Sequence, residues 1–134
     1  MNEPEEAPDY DLAGRIIGLA MKVHSVLGPG FLESVYQNAL AYEMTRAGIA
    51  FKTKVPLKVK YENAVVGIFE ADMLAEDSLI IENKAMQTLA PTHELQTVNY
   101  LTATGINEGL LLNFGAERLQ FKKKYRLPRP ATSC

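Results

Sequence analysis

Three residues have types and spacing that could hold a cation and activate water. Asp72 lies in the otherwise apolar run 67–74, where an unpaired buried carboxylate would cost on the order of several kcal/mol. Glu82 and Lys84 follow the apolar run 79–81, and their spacing of two places both side chains on one strand face. If the two runs pair across the turn between them, Asp72 and Glu82 meet near one end of a sheet. Their charges would repel each other unless a hard divalent cation held both.

The same residues also have ordinary structural interpretations. An acid beside a lysine on a strand is more often a solvated edge or a structural ion pair, so spacing alone leaves both interpretations open. Glu33 occupies the first turn of a predicted helix, where the helix dipole favours any acid. Gln96 and Tyr100 lie on one face of another predicted helix, a pattern that is also typical of packing and surface positions.

The periodicity of the chain predicts the elements that position these residues. Two helices come first, then three strands in an antiparallel meander, a helix, and two further strands. The order predicts an α/β or α+β layer with one mixed sheet. The predicted helices are 12–27 after a possible N-cap at Asp9, from Leu32 to near Gly48, and Thr88 to Thr104; the predicted strands are Phe51 to Tyr61, Val65 to Leu74, Leu79 to Lys84, Gly109 to Phe114 and Leu119 to Tyr125.

Length and charge predict one soluble domain and leave nucleic acid open as a partner. The 134 residues carry a net charge of -2. Five of the 16 acids lie in residues 1–11, and the remaining 11 are outnumbered by 14 lysines and arginines. We predict a flexible acidic segment at 1–11, a domain over 12–127 and a flexible tail at 128–134. No apolar run is long enough for a membrane helix and the first residues do not resemble a signal peptide, so we expect a cytoplasmic protein without a membrane partner.

Several other chemistries lack the residues that they need. The glycines near residue 30 have neither the downstream glycine nor the Lys-Ser/Thr pair of a phosphate-binding loop. His24 and His93 lie on different predicted helices, and no serine occupies a nucleophile elbow. The single cysteine, Cys134, excludes a thiolate zinc cluster within one chain.

Five ordered sequence blocks resemble the GxxExxY protein family, which belongs to the PD-(D/E)XK nuclease superfamily. The resemblance extends from about Ile16 to Arg126. It implies a restriction-endonuclease-like αβββαβ core, with one mixed central sheet flanked by helices, an extra N-terminal helix and a C-terminal strand. The blocks are Gly30-Phe31-Leu32-Glu33-Ser34-Val35-Tyr36, Ala71-Asp72-Met73, Ile80-Ile81-Glu82-Asn83-Lys84-Ala85, Leu95-Gln96-Thr97-Val98-Asn99-Tyr100-Leu101 and Gly109-Leu110-Leu111-Leu112-Asn113-Phe114-Gly115.

The resemblance also implies roles for the acids and the lysine. Asp72 and Glu82 correspond to the two principal ligands of Mg²⁺ or Mn²⁺, and the backbone carbonyl of Asn83 completes that set. Lys84 corresponds to the lysine that positions or helps to deprotonate the attacking water and offsets charge on the scissile phosphate. Glu33 corresponds to the helix glutamate that binds the metal directly or through water.

Further positions match the family pattern, and two depart from it. Gln96 corresponds to the helix glutamine beside the site, and Tyr36 and Tyr100 are expected to wall the cleft. Asn83 stands where an apolar residue is more usual, which leaves the packing of its strand uncertain. Ala71 replaces the usual proline before the strand aspartate. No catalytic position is missing.

These features together predict a small metal-dependent nuclease, with DNA favoured over RNA. The alternatives are a non-catalytic nucleic-acid-binding or protein-interaction module and a hydrolase of another phosphodiester such as a nucleotide. The sequence leaves a homodimer open. Basic residues that could contact phosphate, or form solvated sheet faces, are Lys52, Lys54, Lys58 and Lys60 in one strand and Lys122, Lys123, Lys124 and Arg126 near the C-terminus.

Overall fold

The periodic segments of the sequence correspond to eight elements in the computed structural model, which describes residues 11–127. Helices form where apolar residues recur every three or four positions, and strands form where they alternate. Within the described residues the elements are α1 (Leu12–Leu27), α2 (Glu33–Arg46), β1 (Phe51–Tyr61), β2 (Ala64–Ala75), β3 (Leu79–Lys84), α3 (Pro91–Thr104), β4 (Glu108–Asn113) and β5 (Gln120–Tyr125).

The five strands form one mixed sheet in the order β1-β2-β3-β4-β5. β1, β2 and β3 pair antiparallel, which confirms the predicted meander. α3 then carries the chain to β4, which pairs parallel to β3, and β5 returns antiparallel along β4. The parallel pair requires a crossover, and α3 provides it. The core therefore has the predicted αβββαβ order, with α1 added before it and β5 after it.

Helices cover both faces of the sheet. The larger core lies under α1 and α2, and the smaller one lies under α3. β3 contributes to both because its alternate residues point to opposite faces. Leu79 and Ile81 face α1 and α2, whereas Ile80 faces α3. The strand that carries Glu82 and Lys84 is thus buried on both sides, which holds its direction tightly.

One predicted helix begins later than expected. α3 starts at Pro91, not at Thr88, so Leu89 lies outside the helix. The reason is local, since a residue that precedes proline is pushed out of the helical region and Ala90 is extended at ψ 150°. Proline is also favoured at the first helical position, and His93 Nδ1 accepts the Ala90 N–H at 3.1 Å.

The predicted terminal segments lie almost wholly outside the described residues, as does the possible N-cap Asp9. Asp11 is described, and it is the residue that caps α1: its Oδ1 accepts the Gly14 N–H at 2.9 Å. Of the helices within residues 11–127, none has the length and apolar character to cross a bilayer.

The corner between α1 and α2 is held by one buried tyrosine. Gly28 and Gly30 have positive φ values of 70° and 114°, which side chains other than glycine rarely adopt. The Tyr36 hydroxyl donates to the Gly28 carbonyl at 2.5 Å and accepts the Phe31 N–H at 3.1 Å. Its ring stacks on Phe114, with centroids 4.9 Å apart. Tyr36 therefore ties the corner that precedes Glu33 to the sheet.

We expect Tyr36→Phe to lower the free energy of unfolding by about 1–3 kcal/mol, because it leaves two backbone groups without their partner. Urea denaturation measures the change. Tyr42→Phe is the matched control, since Tyr42 is 62% exposed and its variant should stay within about 0.5 kcal/mol of wild type. Equal losses in the two variants would contradict the role of the hydroxyl.

Candidate active site

Asp72 and Glu82 lie opposite each other where β2 and β3 stop pairing. The antiparallel register ends at the pair Met73 and Ile81. One step further, side chains replace the backbone ladder: the Asp72 N–H donates to Glu82 Oε2 at 3.2 Å, and the Asn83 N–H donates to Asp72 Oδ2 at 2.8 Å. Each strand's open N–H is thus satisfied by the other strand's carboxylate. The structure brings the two acids together as the strand pairing predicts.

The side chains of β2 also change from one face of the sheet to the other at Asp72. Met73 and Ala75 pack in the core under α1 and α2, whereas Ala71 packs under α3. Residues two apart on a regular strand would share one face, so the strand changes face between Ala71 and Met73. On β1, Lys54 stands across from this point with a positive φ of 53°. Asp72 therefore lies at the crossing between the two cores, which explains how a carboxylate is accommodated in an apolar strand.

Glu33 and Lys84 approach the same pair of acids from two other elements. Glu33 is the first residue of α2, directly after the corner held by Tyr36, and Lys84 is the last residue of β3. Partial burial raises the pKa of Glu33, the charge of Lys84 lowers it, and the charge of Asp72 raises it. Glu33 is thus within electrostatic range of both residues. Glu33, Glu82 and Lys84, which the sequence predicts as site residues together with Asp72, all lie within electrostatic range of the Asp72 carboxylate.

Burial has a large effect on the pKa values of Asp72 and Glu82. Desolvation and the neighbouring charge of Asp72 raise the pKa of Glu82 to about 8. Burial also raises the pKa of Asp72, against the lowering effects of the Asn83 N–H and the Lys84 charge. Two carboxylates this close cannot both ionise easily, so without a cation the pair retains one proton near neutral pH.

The residues present fit a hard divalent cation. Oδ2 of Asp72 and Oε2 of Glu82 accept backbone N–H groups, and each carboxylate has a second oxygen available as a ligand. The Asn83 N–H points toward β2, and its carbonyl points the same way because both groups of one strand residue share a side. Mg²⁺ commonly binds one or two carboxylates and retains several waters. Among residues 11–127, no three His, Cys, Asp or Glu side chains cluster as a metal site.

The unusual Asn83 has a defined place in the core. Its side chain is fully buried, and Nδ2 lies 3.3 Å from Gln37 Oε1 and 3.5 Å from Met73 Sδ. Within the described chain, its Oδ1 is buried without a hydrogen-bond partner. Asn83 thus links β3 to α2 behind the site, while its backbone takes part in the site itself.

The remaining predicted site residues are less closely associated with the acids. Gln96 is exposed on α3. Tyr100 is half-buried and stacks on Phe69 of β2, with ring centroids 3.6 Å apart. Tyr36 has no exposed surface, so the expectation that it walls an open cleft is wrong for its side chain. It holds the corner instead, because its hydroxyl is used by Gly28 and Phe31.

The predicted basic residues form two strips at opposite edges of the sheet, since β1 and β5 are the two edge strands. We call them the β1 strip (Lys52, Lys54, Lys58 and Lys60) and the β5 strip (Lys122, Lys123, Lys124 and Arg126). Within residues 11–127, the β1 strip has one ion pair, from Lys52 to the exposed Asp77 at 3.5 Å. Lys58 and Lys60 are exposed. The β1 strip is therefore largely open to an anionic partner.

The β5 strip is already engaged by acids and amides of this chain. Lys124 Nζ lies 2.7 Å from Glu94 and Lys123 Nζ lies 3.7 Å from Asp11. The Arg126 guanidinium donates twice to Asn107 Oδ1, at 3.1 and 2.9 Å. Of the two strips, it is thus the less available to phosphate.

Comparison with known proteins shows the family. A family model described as the PD-(D/E)XK nuclease superfamily matches residues 10–125. The chain belongs to the PD-(D/E)XK nuclease superfamily. The resemblance of the sequence blocks is thereby confirmed at the level of the superfamily. No curated protein matches the chain.

Solved structures with this PD-(D/E)XK fold include two that are similar to the chain. The crystal structure of SSO0001 has a TM-score of 0.54 and 17% identity, over 93% of this chain and 61% of that one. The alkaline exonuclease LHK-Exo from Laribacter hongkongensis has a TM-score of 0.51 and 12% identity, over 87% and 72% of the two chains. At these identities the likeness shows the fold, and the chain spans only 61% of the length of SSO0001.

One residue that positions the PD-(D/E)XK site was not selected from the sequence. Asn113 ends β4 beside Lys84 and is fully buried. Its Oδ1 accepts the N–H groups of Met86 and Gly115 at 2.9 and 3.1 Å, and its Nδ2 donates to the Met86 carbonyl and Gln120 Oε1, both at 2.8 Å. Asn113 thus fixes the chain directly after Lys84. The available signal was an amide at the end of an apolar strand, where a buried polar group needs partners.

The raised pKa of Glu82 predicts how the stability of the metal-free protein depends on pH. Glu82 titrates near 4.5 in the unfolded chain and near 8 in the folded one, so the folded state binds the extra proton between these values. Raising the pH across that window therefore lowers the free energy of unfolding, by a few kcal/mol at roughly 1.4 kcal/mol per pKa unit. Urea denaturation in EDTA at about pH 5 and pH 8.5 measures it.

Glu82→Gln should remove most of this pH dependence, because glutamine carries no titratable proton. Glu108→Gln, a change at an exposed glutamate on β4, is the matched control and should keep the wild-type slope. If wild type and Glu82→Gln lose stability equally as the pH rises, Glu82 is not the group responsible.

Proposed function

We propose that this chain is a metal-dependent nuclease that hydrolyses phosphodiester bonds of nucleic acid, with Mg²⁺ or Mn²⁺ as the cation and DNA favoured over RNA. The observation that carries the proposal is the pairing of Asp72 with Glu82 at the open end of β2 and β3, with Lys84 on the same strand. Superfamily membership and the fold shared with an alkaline exonuclease support hydrolysis of nucleic acid.

Each side chain of the site would have its own role in hydrolysis. Asp72, Glu82 and the Asn83 carbonyl would hold the cation, which supplies a water of lowered pKa and charge for the phosphate. Lys84 forms no direct ion pair within the described residues, so its ammonium is free to donate to a phosphate oxygen or to orient the attacking water. Glu33 would accept a hydrogen bond from a water in the same space, through which its carboxylate assists the cation.

The location of the basic residues supports backbone contacts over base reading. The β1 strip is open and lies on the hairpin that carries Asp72, so we propose that it contacts phosphates outside the site. We further propose that the chain is a GxxExxY protein, on the strength of its five sequence blocks, and that it acts in the cytoplasm.

We expect wild type to bind Mg²⁺ or Mn²⁺ in calorimetry and to cleave DNA, and Asp72→Asn, Glu82→Gln and Lys84→Ala each to lose at least about 100-fold in cleavage rate. The two acid variants should also lose metal affinity, whereas Lys84→Ala should retain it. Linear, single-stranded and branched DNA and RNA are tested in parallel. Asp77→Asn and Lys22→Ala are matched controls at exposed positions and should behave as wild type.

Two outcomes would count against the proposal. Metal binding that survives in both acid variants would remove the site from Asp72 and Glu82. Metal binding without cleavage of any substrate would replace the nuclease by the alternative, a nucleic-acid-binding or protein-interaction module that retains the fold.

The salt dependence of nucleic-acid binding tests the two basic strips. We expect the double variant Lys58→Ala/Lys60→Ala to reduce the slope of log K against log salt by roughly 2, because each phosphate contact contributes about one unit. Lys123→Ala/Lys124→Ala should change it less, since both lysines already pair with acids. Fluorescence anisotropy with a labelled duplex at several salt concentrations measures both slopes. A larger decrease of the slope in Lys123→Ala/Lys124→Ala would show that the β5 strip, and not the β1 strip, makes the main phosphate contacts.

A further inference from the structure

A cavity of about 420 Å³ opens between the chain segments that adjoin Glu33 and Lys84, and the proposed chemistry does not use it. One wall is the corner before Glu33 and the other is the segment directly after Lys84. The volume lies within the roughly 300–1,000 Å³ of small-molecule sites. The lining residues are Pro29, Gly30, Phe31, Ala85, Met86, Gln87 and Gly115.

Phe31 gives this cavity an aromatic surface. The side chain is 47% exposed, although phenylalanine side chains are usually more deeply buried. Its ring meets the buried Tyr36 edge to face, with centroids 6.1 Å apart, and its backbone N–H donates to the Tyr36 hydroxyl at 3.1 Å. Phe31 is therefore held from behind while much of its surface faces outward.

The opposite wall is equally fixed. Both backbone groups of Met86 are bound by the buried amide of Asn113. At Gly115, a Cβ would lie 2.4 Å from Met86 N and 2.6 Å from the Met86 carbonyl, so only glycine allows this close approach. Because both walls are held by buried residues, a ligand would enter a preformed site and pay little to order it.

We propose that this cavity binds an unstacked nucleobase next to the scissile phosphate, with Phe31 as its stacking surface. The inference rests on the proposed function, since the cavity is lined by Phe31, two residues before Glu33, and by Ala85, directly after Lys84. A base has a flat apolar face for Phe31 and polar edges for the exposed backbone of the corner and of Gln87. A base inside a duplex is paired and stacked, so it cannot enter a concave site unless it is extruded. The substrate is therefore presented as a single strand, an end or a flap at the point of cleavage.

The absence of tryptophan from the sequence makes the inference directly measurable. Phe31→Trp in an Asp72→Asn background places one fluorophore in the cavity and suppresses turnover. We expect a single-stranded thymidine oligonucleotide to quench its emission, and the same oligonucleotide with abasic sugars, or a blunt duplex, to quench it far less. Tyr42→Trp in the same background is the control, because Tyr42 lies nine residues along α2 from Glu33 and should respond to none of them.

Affinity provides a second readout that does not need the reporter. Phe31→Ala should weaken binding of the single strand between about fivefold and a hundredfold, the range of base–aromatic stacking, and leave abasic binding unchanged. Leu32→Ala is the matched control, since Leu32 is 76% exposed next to Phe31 and does not line the cavity. Phe31→Tyr should restore affinity, and thermal unfolding checks that each variant is folded.

The two proposals fail in different ways. Equal quenching by intact and abasic strands, or equal affinities of Phe31→Ala and Leu32→Ala, would overturn the base site while leaving cleavage untouched. Base-dependent quenching in a protein that cleaves no nucleic acid would overturn the nuclease and keep the base site. RNA and DNA strands of one sequence, compared in the same titration, show which sugar the cavity accepts.

Discussion

The site depends on one exchange of hydrogen bonds, in which Asp72 and Glu82 accept the backbone N–H groups that β2 and β3 lose where they separate. An unpaired buried N–H is costly, and so is a buried carboxylate without a donor. Each carboxylate accepts the N–H group that the other strand leaves unpaired, so two acidic side chains are retained at this end of the sheet. The same exchange brings them close enough that they hold a proton, which a cation can replace.

The rest of the fold directs other groups to this point. β3 is buried on both faces, and its last residues therefore project in a fixed direction. The buried Tyr36 sets the corner from which Glu33 starts, and the buried Asn113 sets the chain after Lys84. These two anchors are polar groups in the core, and most of their partners are backbone groups of neighbouring segments. Rigid supports of this kind also leave a preformed cavity between the segments that they hold.

The electrostatics follow from this arrangement more than from the net charge. The sequence is mildly acidic, but burial raises the pKa of both Asp72 and Glu82, that of Glu82 to about 8. A bound divalent cation would make the electrostatic potential at the site positive, which favours the binding of a phosphate. Lys58 and Lys60 of β1 are exposed, whereas Lys123 and Lys124 of β5 pair with Asp11 and Glu94.

The sequence by itself determined the order of elements, the meander and the meeting of Asp72 with Glu82, because periodicity and turn position are local properties. It also indicated Glu33 and Lys84, through motifs that depend on spacing. Only the tertiary structure decided that Tyr36 is buried, that the basic strips occupy opposite edges and that Asn113 holds the segment after Lys84. These depend on which surfaces the packed elements cover, and no single segment carries that information.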